Sequence, residues 1–276
     1  MNVYLKSKID KYKITSQSKC FTSGLIGLST IELNVSELCS RKCSFCPRYN
    51  SDIYKNRTLA MDVNTIKSLA SQLKSEEYIG DITISGFGEP MLHPDLPSII
   101  KILDGYDTIL TTNGDFLTQK TLEPLIESGL RKIVVSCYDS EEQKNKFDEL
   151  LTKNKMNYYI KHLWHDFKTV IDTEKFNNRA GLVSTISMTP EKQCFIPFYK
   201  LFIDWNGDVG LCSNDWHRKE TSFGNINKNI IREIWLGEKF TTIRKNLADG
   251  RRINEACKNC NCGGVFMGKD SFDLLK

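Results

Sequence analysis

The sequence predicts an α/β protein. A parallel sheet with outer helices is expected over roughly residues 31–185, followed by a smaller hairpin-plus-helix unit. Three observations predict this. Between Ile31 and about residue 185, short segments alternating with period two take turns with segments of helical period, the pattern of repeated β–α units. After residue 190 that alternation stops and a hairpin signal appears. The cysteines are clustered rather than scattered. Spacing alone does not separate a partial barrel from an open doubly wound sheet.

Residues 1 to about 30 show no period and read as an extension packed on the domain. Ile31-Glu32-Leu33-Asn34-Val35 alternates apolar and polar residues and is predicted as the first strand. It runs into Cys39-Ser40-Arg41-Lys42-Cys43-Ser44-Phe45-Cys46. That loop therefore follows the C-terminal end of a strand, where α/β folds bind ligands. Asp62 is suited to cap a helix with Val63, Ile66, Ala70 and Leu73 on one face. Asp81–Ser85 is a second strand, followed by Gly86-Phe87-Gly88-Glu89-Pro90, whose glycines let backbone approach a ligand closely. A helix around Leu96–Leu103 leads to a strand over Thr108–Thr112 and the turn dipeptide Asn113-Gly114. Thr121 is predicted to open the next helix, with Pro124 in its first turn and Gly129 as C-cap. Arg131–Ser136 is a fourth strand, ending in Ser136-Cys137-Tyr138-Asp139. A charged helix over 140–155, a fifth strand over Asn157–His162 and a short helix or loop around Asp172–Ala180 complete this part. His162, Trp164 and His165 are candidates to line a substrate site and Arg179 to contact an anion; the plainer reading makes them structural.

In the second unit, Tyr199–Trp205 and Asp208–Cys212 read as strands joined at Asn206-Gly207, a hairpin turn signal. A helix carrying Ile230, Ile231, Ile234, Trp235, Phe240, Ile243 and Leu247 follows, then Cys257-Lys258-Asn259-Cys260-Asn261-Cys262. A hairpin delivering Cys212 toward a distant Cys-x2-Cys, with Cys194 before it, can bring four thiolates to one metal centre. Cys-x2-Cys serves zinc equally well, and this half alone leaves zinc and an iron–sulfur cluster evenly matched. The trio Cys39, Cys43 and Cys46 leaves a fourth position without a local cysteine. That suits a cluster with one open iron, part of a zinc site, or three core cysteines.

Composition narrows the setting. With 40% hydrophobic and 26% charged residues, the chain has the make-up of an ordinary soluble globular protein. No apolar run approaches the roughly 20 residues of a membrane helix. The lysine-rich first nineteen residues lack the apolar core of a secretory signal, so a cytoplasmic location is expected. There, ten clustered cysteines favour metal over disulfides. A net charge of +4 is too small to argue for nucleic acid. From Trp216 to Lys276 there are 12 Lys/Arg against 7 Asp/Glu, an excess suited to offset bound thiolates.

Cys-x3-Cys-x-aromatic-Cys resembles the signature of the radical S-adenosylmethionine (SAM) enzymes. The second unit resembles their SPASM and twitch domains: Cys194, a gap, Gly207-x4-Cys212, a helix, then Cys-x2-Cys. The resemblance covers roughly residues 31 to 270. It implies a partial (β/α)6 barrel over 31–189, a C-terminal cluster domain over 190–276 and an N-terminal extension over 1–30. It implies that Cys39, Cys43 and Cys46 hold a [4Fe-4S] cluster whose open iron is chelated by SAM. Phe45, Gly88, Glu89, Asn113 and Ser136 would then lie at SAM, with the Gly88-Glu89 segment near its amino group and Ser136 near its ribose and methionyl part. Phe87 departs from the family by replacing the first glycine of its pair. A full SPASM pattern continues with cysteines, where this chain has Phe266 and Asp270. That favours the twitch type, with one auxiliary [4Fe-4S] cluster on Cys194, Cys212, Cys257 and Cys260; Cys262 is the alternative to Cys260.

The chemistry implied by the resemblance is hydrogen abstraction by a 5′-deoxyadenosyl radical. The auxiliary cluster would take the second electron, which adds up to an alcohol dehydrogenation or a related oxidation or epimerisation. The resemblance is strongest to dehydrogenases of aminocyclitols, so a sugar, cyclitol or similar polar small molecule is the expected substrate. A flavodoxin or ferredoxin is the expected reductant. Two alternatives stand beside this. One is a SPASM-like maturase of a ribosomal peptide or protein, which would want a peptide-recognition domain that residues 1–30 are too short to form. The other is a non-catalytic zinc adaptor, which gives the Gly88-Glu89 segment and Ser136 no purpose.

Overall fold

The computed structural model describes residues 13–14, 24–163, 177–184, 193–220 and 223–264. Trp164, His165, the side chain of His162, Asp172, Phe266, Asp270 and most of the N-terminal extension lie outside them.

Six parallel strands and one antiparallel strand form a single sheet in the order β5-β4-β3-β2-β1-β6-β7. They are β1 (Thr30–Asn34), β2 (Asp81–Ser85), β3 (Asp107–Thr112), β4 (Lys132–Cys137), β5 (Asn157–His162), β6 (Lys200–Ile203) and β7 (Val209–Gly210). Crossover helices α1 (Val63–Ser75), α2 (Leu96–Ile102), α3 (Gln119–Glu127) and α4 (Glu141–Lys153) link the first five strands. The expected strand–helix alternation is therefore present. The sixth parallel strand lies against β1, in register Thr30↔Lys200 to Leu33↔Ile203, rather than beyond β5. The hairpin of the C-terminal half thus continues the sheet of the N-terminal half.

The period-two pattern has a definite sense here. Ile31, Leu33, Ile82, Ile84, Leu110, Ile133 and Val135 are buried in the main apolar core. Their neighbours Glu32, Thr83, Ser85, Thr111, Val134 and Ser136 line a cavity. Parallel strands covered on both faces are usually apolar throughout. The polar residues Glu32, Thr83, Ser85, Thr111 and Ser136 at alternate positions therefore mark the opposite face of this sheet as the site.

Several boundaries differ from the sequence expectation. The side chain and backbone of Thr118 exchange hydrogen bonds with Thr121 in a capping box, so α3 starts earlier and Pro124 sits inside the helix rather than in its first turn. Gly129 follows the end of α3 in the left-handed region, φ 105°. The single helix expected over 230–247 is two, α6 (Ile231–Leu236) and α7 (Glu238–Ala248), separated by Gly237 in extended conformation. A Cβ there would lie 2.8 Å from the Glu233 carbonyl. The hairpin's second strand is only Val209–Gly210, because Asp204 through Asp208 are spent on the turn (Gly207 N–H to Asp204 O, 2.9 Å). Two four-residue helices, α5 (Ile196–Tyr199) and α8 (Glu255–Lys258), flank the C-terminal cysteines.

Candidate active site

Cys39, Cys43 and Cys46 line one end of a cavity of about 490 Å³ whose wall is the polar face of the sheet. Burial pushes all three thiols upward, joined by neighbouring thiols for Cys39 and Cys43, and takes Cys43 to about 12. Three thiolates here are unfavourable without a bound cation, so the donor set is one that metal charge would complete. The loop is held by charge. Arg41 forks between Asp115 (2.5 and 2.7 Å) and Asp139 (2.7 and 2.8 Å), and its guanidinium lies over the Tyr138 ring at 5.0 Å. Ser40 Oγ donates to Asp115 (2.7 Å) and accepts from Asn113 Nδ2 (3.0 Å). The loop at the end of β1 is thereby tied to the ends of β3 and β4.

The other predicted residues gather around it. The buried Glu89 carboxylate accepts from Met91 N (3.0 Å), Thr112 Oγ1 (2.6 Å) and Asn113 N (2.7 Å). Burial pushes this carboxyl upward, against those hydrogen bonds. Gly88 permits a close crossing: a Cβ would stand 2.1 Å from Ser36 O and 2.7 Å from Leu38 O. Phe45 is buried against Val183, stacks with Tyr138 at 6.0 Å and, like Ser136, lines the cavity. Phe87, the departure from the family glycine, lines the cavity and belongs to an aromatic cluster against which Cys46 packs. It packs between Trp216 (4.5 Å) and Phe202 (5.0 Å). Replacing Gly88 with alanine forces backbone apart. An overpacking loss of about 1–3 kcal/mol is expected, read as a lower thermal midpoint, together with poorer iron retention. An unchanged midpoint would contradict the close crossing.

The C-terminal cysteines form a second group. Cys194, Cys212, Cys257 and Cys262 pack with Phe198, Leu211 and Leu247 in a separate apolar cluster. Burial first, then neighbouring thiols, push Cys194 and Cys257 to about 12. Cys212 rises well above its usual value, with Cys260, Cys257 and Cys194 around it. The Cys260 sulfur accepts the Cys262 N–H at 3.4 Å. Arg252 binds the carbonyls of Cys260 (3.0 Å), Cys262 (2.8 Å) and Gln193 (3.1 Å), drawing both cysteine loops together. All nine described cysteines are free. Among the described residues, no three Cys, His, Asp or Glu side chains converge as closely as a single ion requires; a four-iron cluster spaces its thiolates more widely than one ion does.

Two features were not anticipated from sequence. The first is a buried polar network beneath the cysteine loop. Glu37, fully buried, accepts from Arg218 Nη2 (2.7 Å), Tyr54 Oη (2.6 Å) and Asn34 Nδ2 (2.7 Å). Arg218 also pairs with Asp204. Arg48 binds the carbonyls of Glu37 (2.5 Å) and Phe87 (2.7 Å). The second is the far wall of the cavity, which carries Glu32, Lys161, Arg179 and Lys200. Glu32 is opposed by burial. Lys200 Nζ at 2.6 Å, Ser85 and Ser213 outweigh that and hold its carboxyl at about 2. Of these four, Arg179 is the one that the sequence offers as a candidate, for contact with an anion; the alternation of apolar and polar residues in β1 is the other advance signal.

The family comparisons agree with this geometry. The model of the radical SAM superfamily matches residues 33–186, and that of SPASM, an iron–sulfur cluster-binding domain, matches 194–261. The chain belongs to the radical SAM superfamily. It is 32% identical over 242 residues to the S-adenosyl-L-methionine-dependent 2-deoxy-scyllo-inosamine dehydrogenase of Niallia circulans, covering 84% of this chain and 92% of that one. A GTP 3',8-cyclase of Staphylococcus epidermidis is 27% identical over 283 residues, covering 88% and 80%. Among solved structures, BtrN in complex with AdoMet and 2-DOIA matches with a TM-score of 0.73 at 32% identity, over 86% of this chain and 94% of that one. This radical SAM protein is therefore an enzyme whose cofactors are SAM and [4Fe-4S] clusters, and its C-terminal part is a SPASM-type cluster domain. The zinc adaptor reading falls with that membership. Among the described residues no helix is long and apolar enough to cross a membrane.

Proposed function

We propose that this radical SAM enzyme is a dehydrogenase that oxidises a carbinol carbon of a cyclitol, sugar or related polyol, using one auxiliary cluster as electron acceptor. The observation that carries the proposal is the turn at 177–184. Its Val183 packs on Phe45, its Arg179 lies close enough to Cys46 to favour that thiolate, and its Asn178 exchanges hydrogen bonds with Asn259 and Asn261, the residues on either side of Cys260. One short segment thus touches both cysteine groups and the cavity between them, the layout an oxidation with electron export needs.

Cys39, Cys43 and Cys46 would hold the first cluster, with Phe45, Gly88, Glu89, Asn113 and Ser136 around SAM. When bound, this pair supplies a 5′-deoxyadenosyl radical that takes hydrogen from a C–H bond. Cys194, Cys212, Cys257 and Cys260 would hold the second cluster; four thiolates complete it and leave no open iron. Cys260 is preferred to Cys262 because its sulfur receives the Cys262 N–H and lies near Cys212 and Cys257. Phe87 and Trp216, packed at 4.5 Å, give the cavity an apolar stretch of wall. A cytoplasmic flavodoxin or ferredoxin is the proposed reductant. The functional division is placed at 189/190, although β6 and β7 extend the first unit's sheet.

Anaerobic reconstitution followed by iron counting and reduction with SAM tests the reading. About eight irons and 5′-deoxyadenosine are expected. About four irons with SAM cleavage would remove the electron acceptor and with it the dehydrogenase.

A further inference from the structure

The loop that carries Cys39, Cys43 and Cys46 has two sides. Its inner side faces the cavity through Cys39, Arg41, Cys43, Phe45 and Cys46. Its outer side continues into residues 47–58, none of which lines that cavity. This outer segment is bonded directly to the cysteines. The Tyr49 N–H donates to the Cys46 carbonyl (3.0 Å). The Asn56 side chain accepts from the Cys39 N–H (2.9 Å) and donates to the Cys39 carbonyl (3.0 Å).

Two features set this outer side apart. The first is aromatic. Among the described residues, Tyr49 and Phe116 are the only exposed phenylalanine, tyrosine or tryptophan side chains, and Tyr49 is 65% exposed. Phe116 follows Asp115, which holds Ser40 and Arg41, so both exposed rings border the cysteine loop. The second feature is charge. Residues 38–60 carry five Lys/Arg against one acid, Asp52. Arg41 is engaged by Asp115 and Asp139, and Arg48 is buried. Lys42, Lys55 and Arg57 are exposed, and among the described residues none of them has a carboxylate within ion-pair distance. An exposed ring set among unneutralised cations is the make-up of an interaction surface.

We propose that this outer side is where the reductant docks, and that the reductant is an acidic carrier protein presenting the edge of a flavin. This rests on the proposed function in so far as Cys39, Cys43 and Cys46 hold the cluster that receives the electron. Lys42, Lys55 and Arg57 steer an acidic partner and fix its orientation. Tyr49 offers a flat apolar contact, which matches the planar dimethylbenzene edge of a flavin; an iron–sulfur carrier has no such ring to present. From Tyr49 and Asn56 the contact lies one hydrogen bond from the backbone of two of the three cysteines. In the step, the fully reduced flavin passes one electron to the cluster and is itself oxidised by one electron; no bond forms or breaks. A short exposed loop suits the small interface of a transient redox encounter, below about 1,200 Å², from which the carrier leaves after each transfer.

The test compares two reductants on the cluster-loaded protein. A flavodoxin kept reduced by NADPH and its reductase must dock, whereas dithionite need not. SAM cleavage is followed with each, and flavodoxin affinity is measured separately by titration calorimetry. Lys55→Glu/Arg57→Glu should weaken flavodoxin binding and slow flavodoxin-driven cleavage about tenfold at low salt, and Tyr49→Ser should do so about tenfold as well. Flavodoxin-driven cleavage by the unaltered protein should fall as salt is raised, since screening sets in within about 10 Å at 0.1 M. Dithionite-driven cleavage should be equal in all three proteins. Lys67→Glu/Lys74→Glu makes the same change of charge at exposed positions of α1 and should leave both rates unchanged. The proposal is overturned if the Lys55/Arg57 variant binds flavodoxin as the unaltered protein does, if the α1 variant is slowed equally, or if dithionite-driven cleavage falls in step with flavodoxin-driven cleavage. A ferredoxin that binds more tightly than flavodoxin overturns the choice of a flavin carrier. Iron content shows that the cysteine loop is intact in each variant, and Lys55→Gln/Arg57→Gln carries the test where the glutamates release iron. About four irons with intact dithionite-driven cleavage would defeat the dehydrogenase reading and leave this inference standing, whereas about eight irons with unchanged flavodoxin binding defeats this inference alone.

Discussion

Cys257→Ala is expected to abolish product formation while SAM cleavage continues. Cys257 is buried beside Cys194 and Cys260, in the apolar cluster that Leu211 and Leu247 close. Removing one of the four proposed thiolates leaves an iron open; Cys262 packs in the same apolar cluster, so Cys257→Ala/Cys262→Ala is the variant that leaves no spare thiol there. Iron content should fall from about eight to about four per chain. The cavity and Cys39, Cys43 and Cys46 are untouched, so 5′-deoxyadenosine should still form on reduction. The oxidised product should disappear, because the electron remaining after hydrogen abstraction and proton loss has no acceptor. Cys43→Ala gives the converse: four irons remain on the C-terminal cysteines, and no 5′-deoxyadenosine forms. Cys262→Ala separates the two assignments of the fourth ligand. It should retain about eight irons, since the Cys260 sulfur lies near Cys212 and Cys257 and keeps the backbone N–H of residue 262 as its donor. Oxidised product from the Cys257→Ala enzyme would sink the electron-acceptor role.

What the sequence made legible is local. Strand ends, the cysteine loop after β1 and the glycines of Gly86-Phe87-Gly88-Glu89 are each written within a few residues, by a period or a spacing. The break at Gly237 was equally local and was passed over because apolar residues on both sides share one helical period. The capping box was missed for a similar reason: Thr118 and Thr121 are both good caps, and only their reciprocal hydrogen bonds decide which begins the helix. The pairing of β6 with β1 was out of reach, because it joins segments 170 residues apart through backbone hydrogen bonds that leave no mark in composition. The same holds for Arg218 and Glu37, 181 residues apart. The far wall is an intermediate case. Glu32 and Asn34 interrupt an otherwise apolar strand, and a polar residue at every second position of a parallel strand already signals a cavity. Arg179 is offered by the sequence as an anion contact, but that Lys161 and Lys200 join it on this wall depends on how β5, β6 and the 177–184 turn converge.

Arg218→Met is expected to be the most destabilising single change outside the cysteines. Arg218 donates to Glu37 and to Tyr54 Oη (2.6 Å), and pairs with Asp204; both carboxylates are almost fully buried. Burial works against the guanidinium's charge, but Asp204, Tyr54 and Glu37 hold its pKa above the ordinary arginine value. Methionine fills part of the volume, leaves Asp204 without its counter-ion and leaves Glu37 with Arg48 alone, at 3.9 Å. Breaking a buried pair by removing one partner costs about 3–5 kcal/mol. An exposed control such as Arg251→Met, which breaks only the surface pair with Asp249, should cost less than about 1 kcal/mol. The network also has a functional side. Glu37 and Arg48 immobilise the loop that carries Cys39, Cys43 and Cys46, while Asp204 and Arg218 belong to the hairpin half that carries Cys212. Loosening it should release iron from the first cysteine group before the second. Urea midpoints with parallel iron counts measure both effects. The double variant Arg218→Met/Glu37→Gln should recover part of the loss, since it removes one stranded charge while keeping a hydrogen-bonding partner for Tyr54 and Asn34. If the double variant is no more stable than the single, the cost lies in packing rather than in uncompensated charge, and the network is not what joins the two halves.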